Sequence, residues 1–241
     1  MEEIVSLQNA KVKKWTGLHH KKERDASGLF LVEGEHLIGE ALHAGCVEAI
    51  ITDTKCPYDF ASIYQVTPAI MHKLSENISE VHLIAVCHKF EQEPREFKRV
   101  ILLDGVQDPG NLGTLVRTAV SFSFDAVYCS EDTCDLYNDK AIRSTQGALF
   151  HIPFFRRNLK DVMTELKKDG FVVIATSLEQ SHTMGEIPSS SQMAFIFGNE
   201  GQGVHPELQA AADDRLRIDM HGFESLNVAV AGGIVMYTYR G

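Results

Sequence analysis

Three short segments hold residue types that can do chemistry. The first runs Leu103-Asp104-Gly105-Val106-Gln107-Asp108-Pro109-Gly110-Asn111-Leu112-Gly113-Thr114-Leu115-Val116-Arg117. An apolar run ends in a turn built from Asp108, Pro109 and Gly110, and Asn111 is placed to cap the helix that follows. Gly113 and Arg117 are four apart and share a helix face, so a substrate can come close to bare backbone while a guanidinium reaches it. An ordinary strand-turn-helix with a surface arginine fits this segment equally well. The second segment, Gly198-Asn199-Glu200-Gly201-Gln202-Gly203, follows the apolar run Ala194–Phe197. Glycine accepts φ > 0 and offers bare backbone, so such a loop can wrap a ligand closely. It is not a Walker A motif, since no Lys-Ser/Thr follows, and its Gly-x-x-Gly-x-Gly spacing is not the dinucleotide fingerprint. A purely structural turn gains nothing from Glu200 that Asn or Ser would not give. The third segment, Ile218-Asp219-Met220 and then Ser225-Leu226-Asn227-Val228-Ala229-Val230-Ala231-Gly232-Gly233-Ile234, opens a helix. Ser225 is read as its N-cap, and free N–H groups at that end suit an anion or a carboxylate. A capped core helix and a ligand site fit this segment equally well.

The elements around these segments alternate. Val100–Leu103, Ala126–Cys129, Phe171–Thr176, Ala194–Phe197 and Leu216–Asp219 read as strands. Leu112–Ser121, Leu159–Lys168 and Ser225–Tyr237 read as helices. Strands alternating with helices predict an α/β fold with a mostly parallel sheet covered on both faces. Ligands in such sheets sit beyond the carboxyl ends of the strands, where all three segments lie. The first part of the chain has a smaller α/β texture. Leu29–Glu33, Ala49–Thr52 and Val81–Val86 read as strands, and Glu35–Ala44 and Pro68–Ser75 as helices. The polar stretch 89–96, with Pro94, separates the two and predicts domains 1–93 and 94–241.

Composition is that of an ordinary globular protein: 44% apolar and 23% charged residues over 241 positions. No apolar run approaches the ~18 residues that span a membrane, and the charged start shows no signal peptide. The five cysteines are scattered without a CxxC pair, and the histidines show no HExxH spacing. A disulfide framework and a zinc site are therefore unsupported, and a reduced cytoplasmic protein is expected. A net charge of −10 argues against a nucleic-acid partner. The charge is uneven, however. Between residues 10 and 24, Lys11, Lys13, Lys14, Lys21, Lys22 and Arg24 face only Glu23, a local charge of +5. A solvated basic face is the commoner meaning of such a run. A phosphate-contacting patch is the functional reading, helped by Trp15, His19 and His20 within it.

Taken together, in this order and at these distances, the segments resemble the signatures of the SpoU (TrmH-like) family of RNA ribose methyltransferases. The matching runs are Asn111 to Arg117 (NxxGxxxR), Gly198 to Gly203 (GNEGxG) and Ser225 to Ile234 (SLNVAVAxGI). The stretch Lys22 to Gly34 resembles the family's small RNA-binding domain, which is similar to a ribosomal-protein fold. One departure is Asp219, where the family usually has proline. A milder one is Gly232-Gly233, where a bulkier residue often stands.

The resemblance implies a C-terminal trefoil knot whose loops hold S-adenosyl-L-methionine (SAM), with no metal, since methyl transfer from a sulfonium needs no Lewis acid. It implies a homodimer in which each site borrows residues from its partner. By motif match Gly198, Ile218 and Leu226 line the cofactor site, with Asn199 and Gly203 of the same loop, and Thr176, Ser177 and Leu178 at the end of a central strand. The implied reaction transfers a methyl group to a ribose 2′-hydroxyl, with ribosomal RNA favoured over transfer RNA. Arg117 is the expected key residue, and Asn111, Glu200, Ser225 and Asn227 are its expected supports. The permanent charge of a guanidinium favours phosphate clamping and oxyanion stabilisation over proton abstraction. The alternative is a non-catalytic RNA-binding or ribosome-assembly protein on the same fold, which would have no need of Arg117, Glu200 and Asn227.

Overall fold

A computed structural model describes residues 2–76, 80–89, 96–220, 222 and 225–240. The chain divides into two compact units, Met1–Glu91 with Tyr137–Phe150, and Gln92–Leu136 with His151–Gly241. The boundary expected between 93 and 94 lies outside the described residues.

The first unit opens with β1 (Glu2–Ile4), α1 (Ala10–Gly17), α2 (Lys21–Ser27) and β2 (Leu29–Glu33). It continues with α3 (Glu35–His43), β3 (Val47–Thr52), β4 (Ile63–Val66), α4 (Pro68–Leu74) and β5 (Leu83–His88). Its sheet has the order β1-β4-β3-β5-β2, antiparallel at β5 and parallel elsewhere. Trp15, Ile51, Ile70, Met71 and Ile84 are among the residues of its core. α4 starts where Thr67 caps the amide of Ile70 and Pro68 presets the first turn.

The second unit begins with β6 (Arg99–Leu103), α5 (Pro109–Ser121) and β7 (Ala126–Cys129). The chain then returns to the first unit as α6 (Asp139–Thr145), with the Tyr137 ring 4.7 Å from that of Phe30. This excursion corrects the expected single cut, because Ala141, Ile142 and Leu149 are buried there although the segment shows no strand-helix alternation. The second unit resumes with β8 (Phe154–Arg156), α7 (Leu159–Lys168), β9 (Val172–Thr176) and β10 (His182–Thr183). It ends with β11 (Met193–Phe197), α8 (Pro206–Ala211), β12 (Asp214–Arg217) and α9 (Val228–Thr238). Its seven strands are all parallel, in the order β10-β12-β9-β11-β6-β7-β8. A parallel sheet buries both faces, which is why β6 and β11 read as unbroken apolar runs.

Two features place the site. α9 is apolar on every side and crosses α5 so closely that a Cβ at Gly232 would lie 2.3 Å from Cδ2 of Leu115. The buried guanidinium of Arg99 ties the far end of α9 to the sheet, donating to the carbonyls of Tyr239 (2.9 Å) and Ser190 (2.7 Å). No described helix is long and apolar enough to cross a membrane.

Candidate active site

β6 and β11 are neighbours, but their connections leave in opposite directions, β6 through α5 to β7 and β11 through α8 to β12. Such a switch point opens a crevice at the strand ends. The loop after β6 and the glycine loop after β11 fill its two sides.

Glu200 joins them. Its carboxylate accepts from the backbone N–H of Gln107 (3.1 Å) and of Asp108 (3.1 Å), and from the side-chain amide of Asn111 (2.9 Å). Partial burial raises its pKa. The hydrogen bonds from Asn111, Gln107 and Asp108 outweigh that, and the net effect is a carboxyl below its usual range. A carboxylate is thus used to hold backbone, which explains a charge inside a glycine loop.

Asn111 passes the link on. Its side-chain oxygen accepts from the amide of Asn227 at 3.0 Å, and the Asn227 oxygen caps Ala229 N–H (2.9 Å) and Val230 N–H (3.3 Å). Two capping expectations are corrected here. Asp108, not Asn111, is the N-cap of α5, accepting from Asn111 N–H at 2.9 Å. Pro109 takes the first helical position, so the helix starts earlier and leaves the Asn111 side chain free to bridge. Asn227, not Ser225, caps α9, and Ser225 is exposed two residues outside it.

Within the glycine loop, the side-chain oxygen of Asn199 accepts from Gly201 N–H (2.9 Å) and Gln202 N–H (3.1 Å), and its amide donates to the carbonyl of Gly105 (2.8 Å). Asn199 and Gly203 also exchange backbone hydrogen bonds of 3.0 and 2.9 Å. The loop closes so tightly that a Cβ on Gly198 would lie 2.1 Å from backbone atoms of Gly203 and Val204.

A pocket of about 490 Å³ opens beside this loop, between the ends of β9, β11 and β12 and the start of α9. Thr176, Ser177, Leu178, Gly198, Asn199, Gly203, Ile218 and Leu226 all line it, as do Glu200 and Ser225. Leu178 is 61% and Leu226 39% exposed, so two apolar side chains stand uncovered on its wall. Glu179 adds a carboxylate, which suits a cationic ligand. Apolar walls with a few placed polar groups are what a small-molecule site requires. The strand expected at Leu216–Asp219 instead spans Asp214–Arg217, because its pairing with β9 ends at Leu216 and Thr176. Ile218 and Met220 therefore belong to the pocket wall, while Asp219 points into an ion pair with Arg217 at 3.4 Å. Asp219 itself does not line the pocket, but its partner Arg217 does.

Arg117 is exposed on α5, six residues beyond Asn111, and its guanidinium makes no hydrogen bond or ion pair among the described residues. It does not line the pocket. Sequence reading missed a second tie between the loops. Buried Asp104 accepts from His205 N–H (2.7 Å) and contacts its Nδ1 at 2.9 Å. The bond to Asp104 holds the half-exposed imidazole above its usual pKa. An Asp directly after an apolar strand was the available signal.

The basic stretch lies in the first unit, and four of its residues take roles other than those expected. Arg24 is 3% exposed, and its guanidinium donates to the carbonyls of Leu18 (2.7 Å) and His19 (2.8 Å), so it ties α1 to α2 and is not available to phosphate. Trp15 is buried against Tyr64, with ring centroids 5.1 Å apart, and offers no stacking face. Lys11 pairs with Glu2 (2.7 Å) and Lys21 with Asp25 (3.0 Å). Lys13, Lys14 and Lys22 are exposed without such partners among the described residues. The structure does bring three possible ligand groups together. His19 Nδ1 lies 3.3 Å from Asp139 and 3.4 Å from Glu76, close enough in principle to share an ion. The members are far apart in sequence, so spacing rules could not reveal them. Nε2 of His19 is buried without a partner. Metal on Nδ1 would put the ring proton on Nε2, which makes this a poor cation site.

Comparison with known proteins gives a consistent answer. Residues 98–237 match the SpoU rRNA Methylase family model, and residues 9–85 match an MRM3-like substrate binding domain. The chain is 43% identical to the 23S rRNA (guanosine(2553)-2′-O)-methyltransferase RlmP of Bacillus subtilis, over the full length of both. It superposes on an rRNA methyltransferase from Sinorhizobium meliloti with a TM-score of 0.90 and 28% identity, covering 99% of this chain and 97% of that one. The same protein with AdoMet bound superposes equally well.

Proposed function

The chain belongs to the SpoU rRNA methylase family, and on that premise we propose that it methylates large-subunit ribosomal RNA at the guanosine matching the one its Bacillus subtilis relative modifies. It is a SAM-dependent RNA methyltransferase that acts on a ribose 2′-hydroxyl of 23S rRNA. The observation that carries the proposal is the 43% identity to that relative over the full length of both chains, and the hydrogen bonds Glu200–Asn111–Asn227, which lock the three signature segments together at the edge of the pocket, support the site.

SAM fits the pocket by size, by its apolar walls and by the carboxylate of Glu179. When bound, it supplies an electrophilic methyl group on a sulfonium. The residues of this chain do the rest. The glycine loop and the 216–220 segment bind through backbone and apolar contacts. Arg117 clamps the RNA phosphate and stabilises the oxyanion that develops on the ribose, a role its permanent charge suits. Glu200, Asn111 and Asn227 fix the start of α5, and hence the direction in which Arg117 leaves the helix. The first unit binds RNA, and Lys13, Lys14 and Lys22 are exposed cations of its basic stretch that offer themselves to phosphate. The match of 9–85 to a substrate binding domain supports this division of labour.

Three further features belong to this reading. The last helix threads a loop as a trefoil knot, supported by the close crossing of α9 and α5 at Gly232. The protein is a homodimer. Val230 and Tyr237, 52% and 56% exposed on α9, support an apolar contact with a second copy. The position of Arg117 outside its own chain's pocket wall supports a site completed by that copy. The protein works in the cytoplasm, where its substrate is.

The test is methyl transfer from labelled SAM to purified 23S rRNA and transfer RNA, followed by nuclease digestion. Label on 2′-O-methylguanosine from 23S rRNA is expected. Label on a base, or on transfer RNA alone, overturns the proposal.

A further inference from the structure

The loop after β7 sits against the loop after β6 and is itself gathered by one side chain. Arg156, the last residue of the edge strand β8, donates through Nη1 to the carbonyls of Ser130 (2.6 Å), Glu131 (2.9 Å) and Thr133 (2.7 Å). Through Nη2 it donates to the carbonyl of Cys134 (2.9 Å). Four carbonyls turned toward one point repel each other, and only a fork of several N–H groups bearing a charge satisfies them together.

The collar so formed grips the β6–α5 loop residue by residue. Ser130 and Thr133 hydroxyls accept from Gly105 N–H at 2.9 and 3.2 Å. Cys134 N–H donates to the carbonyl of Val106 at 2.9 Å. The carbonyl of Asp132 accepts from the side-chain amide of Gln107 at 2.5 Å. The backbone N–H of that same Gln107 is one of the donors on Glu200. A continuous path therefore runs from Arg156 through the 130–134 loop and Gln107 to Glu200, Asn111 and the base of α5. None of Arg156, residues 130–134 or Gln107 lines the pocket.

We propose that Arg156 is a positioning residue for methyl transfer: it shapes the 130–134 collar, and the collar, through Gln107, sets the loop that presents α5 and Arg117 to the RNA. The inference rests on the reading of the chain as a ribose methyltransferase. The path meets the pocket wall only at Glu200, whose carboxylate is turned to the loop donors, so it acts on turnover and leaves SAM binding nearly unchanged. Lysine cannot replace Arg156, since the three N–H groups of one ammonium cannot serve four carbonyls in the geometry of the planar fork.

The test uses the full chain and the variants Arg156→Lys, Gln107→Ala and the double variant, with kcat and KM on 23S rRNA and SAM affinity by calorimetry. Each single change is expected to lower kcat by roughly tenfold, the effect of one net hydrogen bond on a rate. SAM affinity is expected to stay within about twofold, because neither substituted residue lines the pocket and the Gln107 N–H that holds Glu200 is kept. The double variant is expected to be no slower than the slower single, because the two residues lie on one path. Gln107 is exposed, so its variant remains informative should Arg156→Lys fold poorly. Losses that multiply in the double variant, unchanged kcat in Gln107→Ala, or SAM affinity falling in step with kcat each overturn the inference. A wild-type chain that transfers no methyl group overturns the functional reading and this inference with it. An active wild type with a fully active Gln107→Ala overturns the inference alone.

Discussion

The carboxylate of Glu200 lies 2.9 Å from the side-chain amide of Asn111, a residue 89 positions earlier in the chain. One charged acceptor thus serves three donors from a loop and a helix start. Glu200→Gln keeps the shape, removes the charge and turns an NH₂ toward N–H donors. A loss of about 1–3 kcal/mol is the cost of unsatisfied donors in a buried site, and partial exposure puts this one at the low end. Methyl transfer is expected to fall roughly fivefold to tenfold, which a single-turnover assay reads. Since the Glu200 pKa is lowered, its contribution is fully present above the ordinary carboxylate value of 4.5 and is lost as pH falls below it. Melting curves of wild type and variant should converge there.

His205 has the opposite sign. Its bond to Asp104 raises its pKa above 6.5, so the charged pair stabilises fully below that value and the gain fades as pH rises through the folded pKa. His205→Gln is expected to lower the melting temperature at pH 6 more than at pH 9. Equal losses at both would show that only the neutral hydrogen bond matters.

Arg117→Lys is expected to reduce turnover by about 10²–10³, the range for losing a preorganised oxyanion donor. SAM affinity should be nearly intact, because Arg117 does not line the pocket. Full activity in this variant would remove Arg117 from the mechanism.

At Gly198 a Cβ would meet backbone, which cannot swing aside as a side chain can. Gly198→Ala is expected to cost about 1–3 kcal/mol or more by overpacking and to distort the glycine loop. Calorimetry should show SAM binding weakened far more than the global melting temperature.

Replacing Lys13, Lys14 and Lys22 by alanine is expected to weaken RNA binding in a salt-dependent way. The slope of log affinity against log salt should fall by about one unit for each lysine that contacts phosphate. Arg24→Ala should leave that slope unchanged and instead destabilise the first unit by about 1–3 kcal/mol, because buried carbonyls lose their donors.

Much of this site could be read from residue order alone. The unbroken apolar runs at β6 and β11 announced buried parallel strands, and their ends pointed to the loops that bind. The eight residues that the family resemblance, not residue order, implies for the cofactor site line one pocket. Capping was misread because Asn and Ser are good caps in general, while the choice among Asp108, Asn111, Ser225 and Asn227 depends on where the helix starts. Trp15 and Arg24 were misread because a basic run looks like a surface, whereas the core of a small domain claims its aromatic ring and a guanidinium can tie two helices from within. The Asp104–His205 tie, the His19–Asp139–Glu76 group and the Arg156 collar join residues distant in sequence, so no local pattern could show them.

The bonds that join the three signature segments span 93, 89 and 116 residues. No part of the chain can form this site early from local contacts, and each bond must wait for a long loop to close. The site should therefore assemble late, after the strands have found their order. Substitutions at Glu200, Asn111 or Asn227 should leave the refolding rate almost untouched and appear as faster unfolding. The lifetime of the working enzyme, more than the speed at which it is made, is what these hydrogen bonds govern.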